Sequence, residues 1–434
     1  MTTAEKDGIV FVPTCLPEVD TQSATAAPAA APSDRSISAL RAVFAVSGMV
    51  FLCMVPVTML VAPLKELVGL RYQAGPFWTH SFMSVNMVGA ILAAPLIGLL
   101  SDAGGARRRV AAMALFTDAL LLAAMGWAPN LATLLILRFF EGAAHILALS
   151  TLMAVAAGWA AEKSRGRAMG VVGSAMMFGT ACGTRTGGEV WRLLPDWTFL
   201  VAGCISAVAA VGVLMFVREP HTPRTDRGGM KAALAILAQR RELAVPYAYA
   251  LIDRFCVGVV VSTLVLYFAD IHELEPRDRS RLLVLFLVPF AVLIYPAGRL
   301  VDRIGRVWPI ALASATFGVV FASYGVASAE SLRALMIISG IVSAIMFAPN
   351  LALCADLAPS SHRGAVFTGF NAAGSLGFLL GPLAAGAFFS AMTRHGNTLE
   401  AYQATFLATG CTQVLCAAIT LPLLLRLRRR GLTR

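Results

Sequence analysis

Charge is scarce in this chain, and over long stretches it is missing. Only 14% of the 434 residues are Asp, Glu, Lys or Arg, against 58% hydrophobic ones. A soluble domain of this length needs far more polar surface, so that class is excluded. Residues 49–62, 83–100, 199–217 and 282–296 carry no charged side chain at all. Short strands of alternating polarity, which a membrane β-barrel requires, are also missing. The eight cysteines, Cys15, Cys53, Cys182, Cys204, Cys256, Cys354, Cys411 and Cys416, have no metal-ligand spacing. All but Cys15 lie in apolar blocks, where they read as small packing residues without a disulfide framework. No nucleophile–base pair, phosphate loop or metal-ligand cluster stands in a loop. An enzyme is therefore not expected, nor catalytic residues, a bound metal or a cofactor. The N-terminus lacks a basic start followed by a sufficient apolar core, so no cleaved signal peptide is expected.

What is present is a series of apolar blocks, each near the roughly 20 residues that a helix needs to cross a hydrocarbon core. In lipid the backbone must satisfy its own polar groups, so such blocks read as helices. The expected spans are 39–62, 78–100, 110–127, 131–159, 166–190, 197–217, 246–269, 281–301, 308–327, 331–357, 364–391 and 401–425. The fold class is thus an all-α membrane protein, with twelve transmembrane helices in two six-helix bundles. A disordered cytoplasmic tail is expected over 1–38, where 24–33 is rich in Ala, Pro and Ser. The bundles follow at 39–217 and 246–425. A polar linker over 218–245 joins them, with 230–240 as an amphipathic helix on the inner leaflet. A basic tail closes the chain at 426–434.

The formal charge of +11 is concentrated in alternate loops, as at Arg107–Arg109, Arg303 and Arg306, and the C-terminal arginines. Roughly 24 positive residues fall on that side and about 8 on the other, which by the positive-inside rule places both termini in the cytoplasm of an inner membrane. A basic surface for nucleic acid is not the pattern. Lipid is the expected surrounding and a monomer the expected state.

The two halves repeat. Gly98, Asp102 and Gly105 recur as Gly298, Asp302 and Gly305, an offset of 200 residues. Gly179, Gly183 and the pair Gly187–Gly188 recur as Gly377, Gly381–Pro382 and Ala385–Gly386, an offset of 198. Repeated six-helix units place a cavity at their interface and rock about it, which favours transport over a channel or a membrane enzyme, with a non-transporting membrane scaffold as a lesser alternative.

With these residues the chain resembles a transporter of the major facilitator superfamily. Gly98-x3-Asp102-x2-Gly105-x-Arg107-Arg108, with its copy Gly298, Asp302, Gly305 and Arg306, is similar to the family's cytoplasmic gate motif. There the carboxylate faces a helix N-terminus and an arginine, and this latch must break when the inner side opens. Leu134-x3-Arg138-x2-Glu141-Gly142 resembles a motif of proton-coupled members, although Glu141 stands where glutamine is usual. Gly170-x8-Gly179-x3-Gly183-Thr184-x2-Gly187-Gly188 resembles the helix-packing pattern of the drug:proton antiporter branch, with Thr184 in place of a proline. The resemblance implies a small organic substrate exported in exchange for protons.

Ionisable groups inside spans are expensive, so each is a functional candidate. Asp118, Arg138, Glu141, Asp253 and Arg254 are the proton-coupling candidates. Arg138, His145, Arg185 and Arg254 are the substrate-binding candidates, and these arginines leave open an alternative cargo, a siderophore, metal-linked or carboxylate solute.

Overall fold

The computed structural model describes residues 34–101, 107–159, 165–219, 230–359, 363–394 and 396–431. Its elements are helices: α1 Asp34–Met59, α2 Pro76–Ser101, α3 Arg107–Met125, α4 Leu131–Trp159, α5 Arg165–Leu193 and α6 Thr198–Phe216 in the first half. A short α7, Met230–Gln239, precedes the second half. That half holds α8 Ala244–Val259, α9 Val265–Asp270, α10 Pro276–Ile304, α11 Val307–Ser323, α12 Ala329–Leu357, α13 Arg363–Met392 and α14 Thr398–Arg429. One π turn, Val260–Leu264, joins α8 and α9 into a single rod, and another, Lys65–Leu70, follows α1. Nine helical segments among the described residues are long and apolar enough to cross a membrane: α1, α4, α6, the α8–α9 rod and α10 to α14. The chain is a multi-pass membrane protein.

Local sequence sets several helix ends. Pro276 opens α10 at a position where its missing N–H costs nothing. Gly305, at φ 86°, closes the same helix in a conformation that other residues avoid. Asn397 and Glu400 form a reciprocal capping box at the start of α14. Two expected helix starts move by more than a turn. Residues 34–38, expected in the tail, are the first turn of α1, and the charged segment 276–280, expected as loop, is the first turn and a half of α10. In both places helix geometry extends past the apolar block, because a polar first turn costs a helix nothing in water. Residues 1–33 lie outside the described residues.

The repeat is visible in the packing. Helix α1 packs on α5 as α8 packs on α13; α2 on α4 as α10 on α12; α3 on α6 as α11 on α14. The halves meet through α5 against α10 and, symmetrically, α13 against α2. Glycines set the close pairs within a half. A Cβ on Gly179, Gly183 or Gly187 would collide with backbone carbonyls of α1, and one on Gly377 or Gly381 with those of α8. Helix α7 packs on α13, with Ile236 in the apolar cluster of the second half, so this connecting helix lies against the second bundle.

The apolar core is continuous across both halves at one end and divided at the other. One cluster runs from Met59 and Phe82 through Tyr267 and Phe286 to Tyr402 and Phe406. Two others stay within single halves, one around Val46, Leu115 and Leu152, the other around Tyr249, Leu353 and Phe370. Helix α5 follows the same division. Gly188 near its C-terminus would collide with Pro276 and Ser280 of α10. Among the described residues, a Cβ on Gly170 near the N-terminus of α5, or on Gly298 near the C-terminus of α10, meets nothing of another helix within 4 Å. Among the described residues, the bundles are joined at one end and splayed at the other.

Candidate functional site

Within the first bundle, spacing of three and four along α4 places Arg138, Glu141 and His145 on one face, and that face is turned inward. Arg138 and Glu141 are 1% and 0% exposed. Arg138 Nη1 donates to Glu141 Oε2 at 2.9 Å. Asn86 of α2 donates to the same oxygen at 2.6 Å. The guanidinium lies 5.0 Å from the centre of the Phe82 ring. Asp118 enters from α3, accepting from Ser206 Oγ of α6 at 2.6 Å. Ligand atoms of Asp118, Glu141 and His145 all lie within 4.8 Å of one another. Asp118 Oδ1 and Glu141 Oε1 are buried and have no hydrogen-bond partner. His145 Nδ1 stands 3.8 Å from Cys53 Sγ of α1. Five helices thus converge on two carboxylates and one guanidinium.

The second bundle has a different hub. Gln413 of α14 donates to Asp253 Oδ1 of α8 at 2.9 Å and approaches Ser314 of α11 at 2.5 Å. Asp253 Oδ2 is buried without a partner. Arg254, next in the chain, points elsewhere, over the Phe347 ring of α12 at 5.7 Å.

At the joined end, ion pairs bridge the halves. Glu189 of α5 binds Arg185 of its own helix at 2.5 Å and Arg277 of α10 at 2.8 Å. Buried Arg279 of α10 pairs with Glu66 and donates to the Ala62 carbonyl at 2.8 Å. Lys65 pairs with Asp270 at 2.7 Å, and Tyr402 donates to Asp270 at 2.5 Å. Ser84 of α2 donates to the Leu379 carbonyl of α13 at 2.7 Å. Arg185, expected among the substrate contacts, is committed to this seam.

At the splayed end, Asp102 and Gly105 of the first gate motif lie outside the described residues, as does the side chain of Asp302. Gly98 is within α2. Arg107 opens α3, and the Arg108 N–H donates to Glu219 Oε1 at 3.0 Å. Arg306 pairs with Asp356 at the end of α12 at 2.8 Å. The second-half motif therefore holds an ion pair within its own bundle.

Comparison with known proteins decides the family. The model of the Major Facilitator Superfamily matches residues 42–276 and again 247–433. The chain belongs to this superfamily. A facilitator of this kind is a transporter of a small-molecule substrate, not an enzyme. Among relatives, the multi-drug resistance efflux pump PmrA of Streptococcus pneumoniae is 23% identical over 334 residues, covering 74% of this chain and 82% of the pump. Among solved structures, a bacterial homologue of the human lysosomal transporter Spinster, inward-facing and unoccupied, aligns with TM-score 0.73 at 14% identity, covering 90% of this chain and 97% of that one. The nucleoside transporter NupG aligns with TM-score 0.71 at 12% identity, over 88% of this chain and 98% of that one. At such identities the structures share the facilitator fold and nothing narrower.

Sequence reasoning found the charges buried within the bundles and missed the neutral residues around them and most charges of the seam. Asn86, Ser206, Ser314 and Gln413 are ordinary polar residues in apolar spans, and only their partners make them special. Lys65, Glu66, Asp270, Arg277 and Arg279 fall outside the expected spans, and their partners lie up to 217 residues away.

Proposed function

We propose that this facilitator exports a small organic molecule in exchange for protons, by alternating access through twelve spans. The positive-inside pattern supports an inner-membrane placement with both termini in the cytoplasm. On that orientation the joined end faces outward and the splayed end inward, so this is an inward-open state. The gate motifs of Asp102 and Asp302 then close the inner side in the opposite state.

One observation carries the coupling. Asp118 and Glu141 each turn a buried, unpartnered oxygen into the same space beside a single guanidinium. Two carboxylates against one arginine leave one negative charge in a dry core, where an uncompensated charge is costly. A single proton balances it. Uptake of that proton in one state and its release in the other supplies the differential affinity that rocking needs. PmrA carries the name of an efflux pump, which supports export as the direction.

The test is transport in inside-out vesicles with an imposed pH gradient. Accumulation should follow the gradient and collapse with it. Uptake that ignores a collapsed gradient would sink the reading.

A further inference from the structure

The two mid-bundle arginines are treated in opposite ways. Arg138 is 1% exposed and paired with Glu141. Arg254 is partly exposed, and no carboxylate pairs with it among the described residues. It stands ten residues into α8 from Ala244, about 15 Å along the axis at 1.5 Å per residue, hence near mid-depth.

Asp253 does not serve as its partner. Successive helix residues point about 100° apart, and Asp253 is turned into the packing with α11 and α14, where Gln413 holds it. Arg254 is turned to α12 and α13. Its guanidinium overlies Phe347, and its stem runs past Gly374, where a Cβ would crowd it at 3.2 Å. The ring of Phe347 meets that of Phe290 edge-on at 6.0 Å, and Phe290 stacks on Phe286 at 6.0 Å. Phe347 and Phe290 are both partly exposed. A cation with free donors therefore stands beside an aromatic wall running from α12 to α10.

An arginine at membrane depth faces a partner or a water-filled cavity. Its planar fork matches carboxylate and sulfonate geometry. Phenyl faces and edges take an aromatic ring at little conformational cost.

We propose that Arg254 with Phe347 and Phe290 forms the substrate subsite of the second bundle, and that it takes a planar aromatic anion. This rests on the transport reading above and narrows its cargo to organic anions.

Binding to the purified full chain separates the two. Calorimetric titrations would compare 2-naphthoate with 2-naphthylmethylammonium, which share the ring system and differ in charge. Wild type should prefer naphthoate by about tenfold or more, the scale of a charge-assisted hydrogen bond. Arg254→Gln should abolish that preference, and Arg254→Lys should retain part of it. Phe347→Leu should weaken naphthoate while keeping the order of the two probes, and this variant still tests the wall if Arg254→Gln does not fold. Equal binding of the two probes to wild type, binding of neither, or an unchanged preference in Arg254→Gln would overturn the proposal. These measurements need no gradient. Loss of proton dependence in vesicles would remove the coupling scheme and leave the anion preference standing.

Discussion

Arg279 of α10 is 1% exposed and reaches across the bundle interface to Glu66 beyond α1. Arg277, two residues earlier, also bridges to the first half, at Glu189 of α5, but that pair is 36% and 27% exposed. The two bridges should therefore differ in strength. Glu66→Gln leaves a buried cation without its counter-charge, at a cost of about 3–5 kcal/mol to the joined state. Glu189→Gln should cost far less, because water screens the pair. Spin labels at positions 196 and 275, in a cysteine-free background, would report the separation of the joined end. Glu66→Gln should populate a longer distance and Glu189→Gln should change it little. Equal effects would reject the ranking.

Glycines of the fifth helix divide by what they touch. Gly183 faces Val55 and Thr58 inside its own bundle, while Gly188 faces Pro276 and Ser280 of the other. Gly183→Leu should prevent folding or lower the melting temperature sharply. Gly188→Val should leave each bundle intact and favour separation at the joined end. Thermal unfolding and the same label distance check this together; similar melting losses in both variants would contradict it.

Asp118→Asn removes one of the two facing carboxylates and keeps the shape that accepts from Ser206. Gradient-driven accumulation should be lost while solute-for-solute exchange continues. Arg138→Leu should instead strand two buried carboxylates and cost about 3–5 kcal/mol of stability. A variant Asp118→Asn that still accumulates against a gradient would place the coupling elsewhere.

At the splayed end, Asp102→Asn should slow turnover more than it weakens substrate binding, since a gate latch acts on the equilibrium between states. Wild-type turnover in a transport assay would count against the gate role. Arg306→Gln, which loses the pair with Asp356, should act in the same direction.

By itself, the sequence determined the class of molecule and its repeat. Apolar spans of membrane length force helices, because hydrocarbon offers the backbone no other partner. The 200-residue offset between Gly98–Gly105 and Gly298–Gly305 marked two related halves. The spacing of Arg138, Glu141 and His145 put them on one face before any coordinates were needed. The tertiary structure alone decided which charges share a site. Asp118 meets Glu141 only because α3 and α4 cross at that depth, and Arg254 is turned to α12 and α13 while Asp253 meets Gln413 on the other side of α8. Arg185 and Arg254 both lie within expected spans, yet Arg185 pairs with Glu189 at the seam between the halves. Helix periodicity fixes a side chain's direction relative to its own axis, whereas its partner depends on how distant helices are rotated against one another, which one-dimensional spacing does not encode.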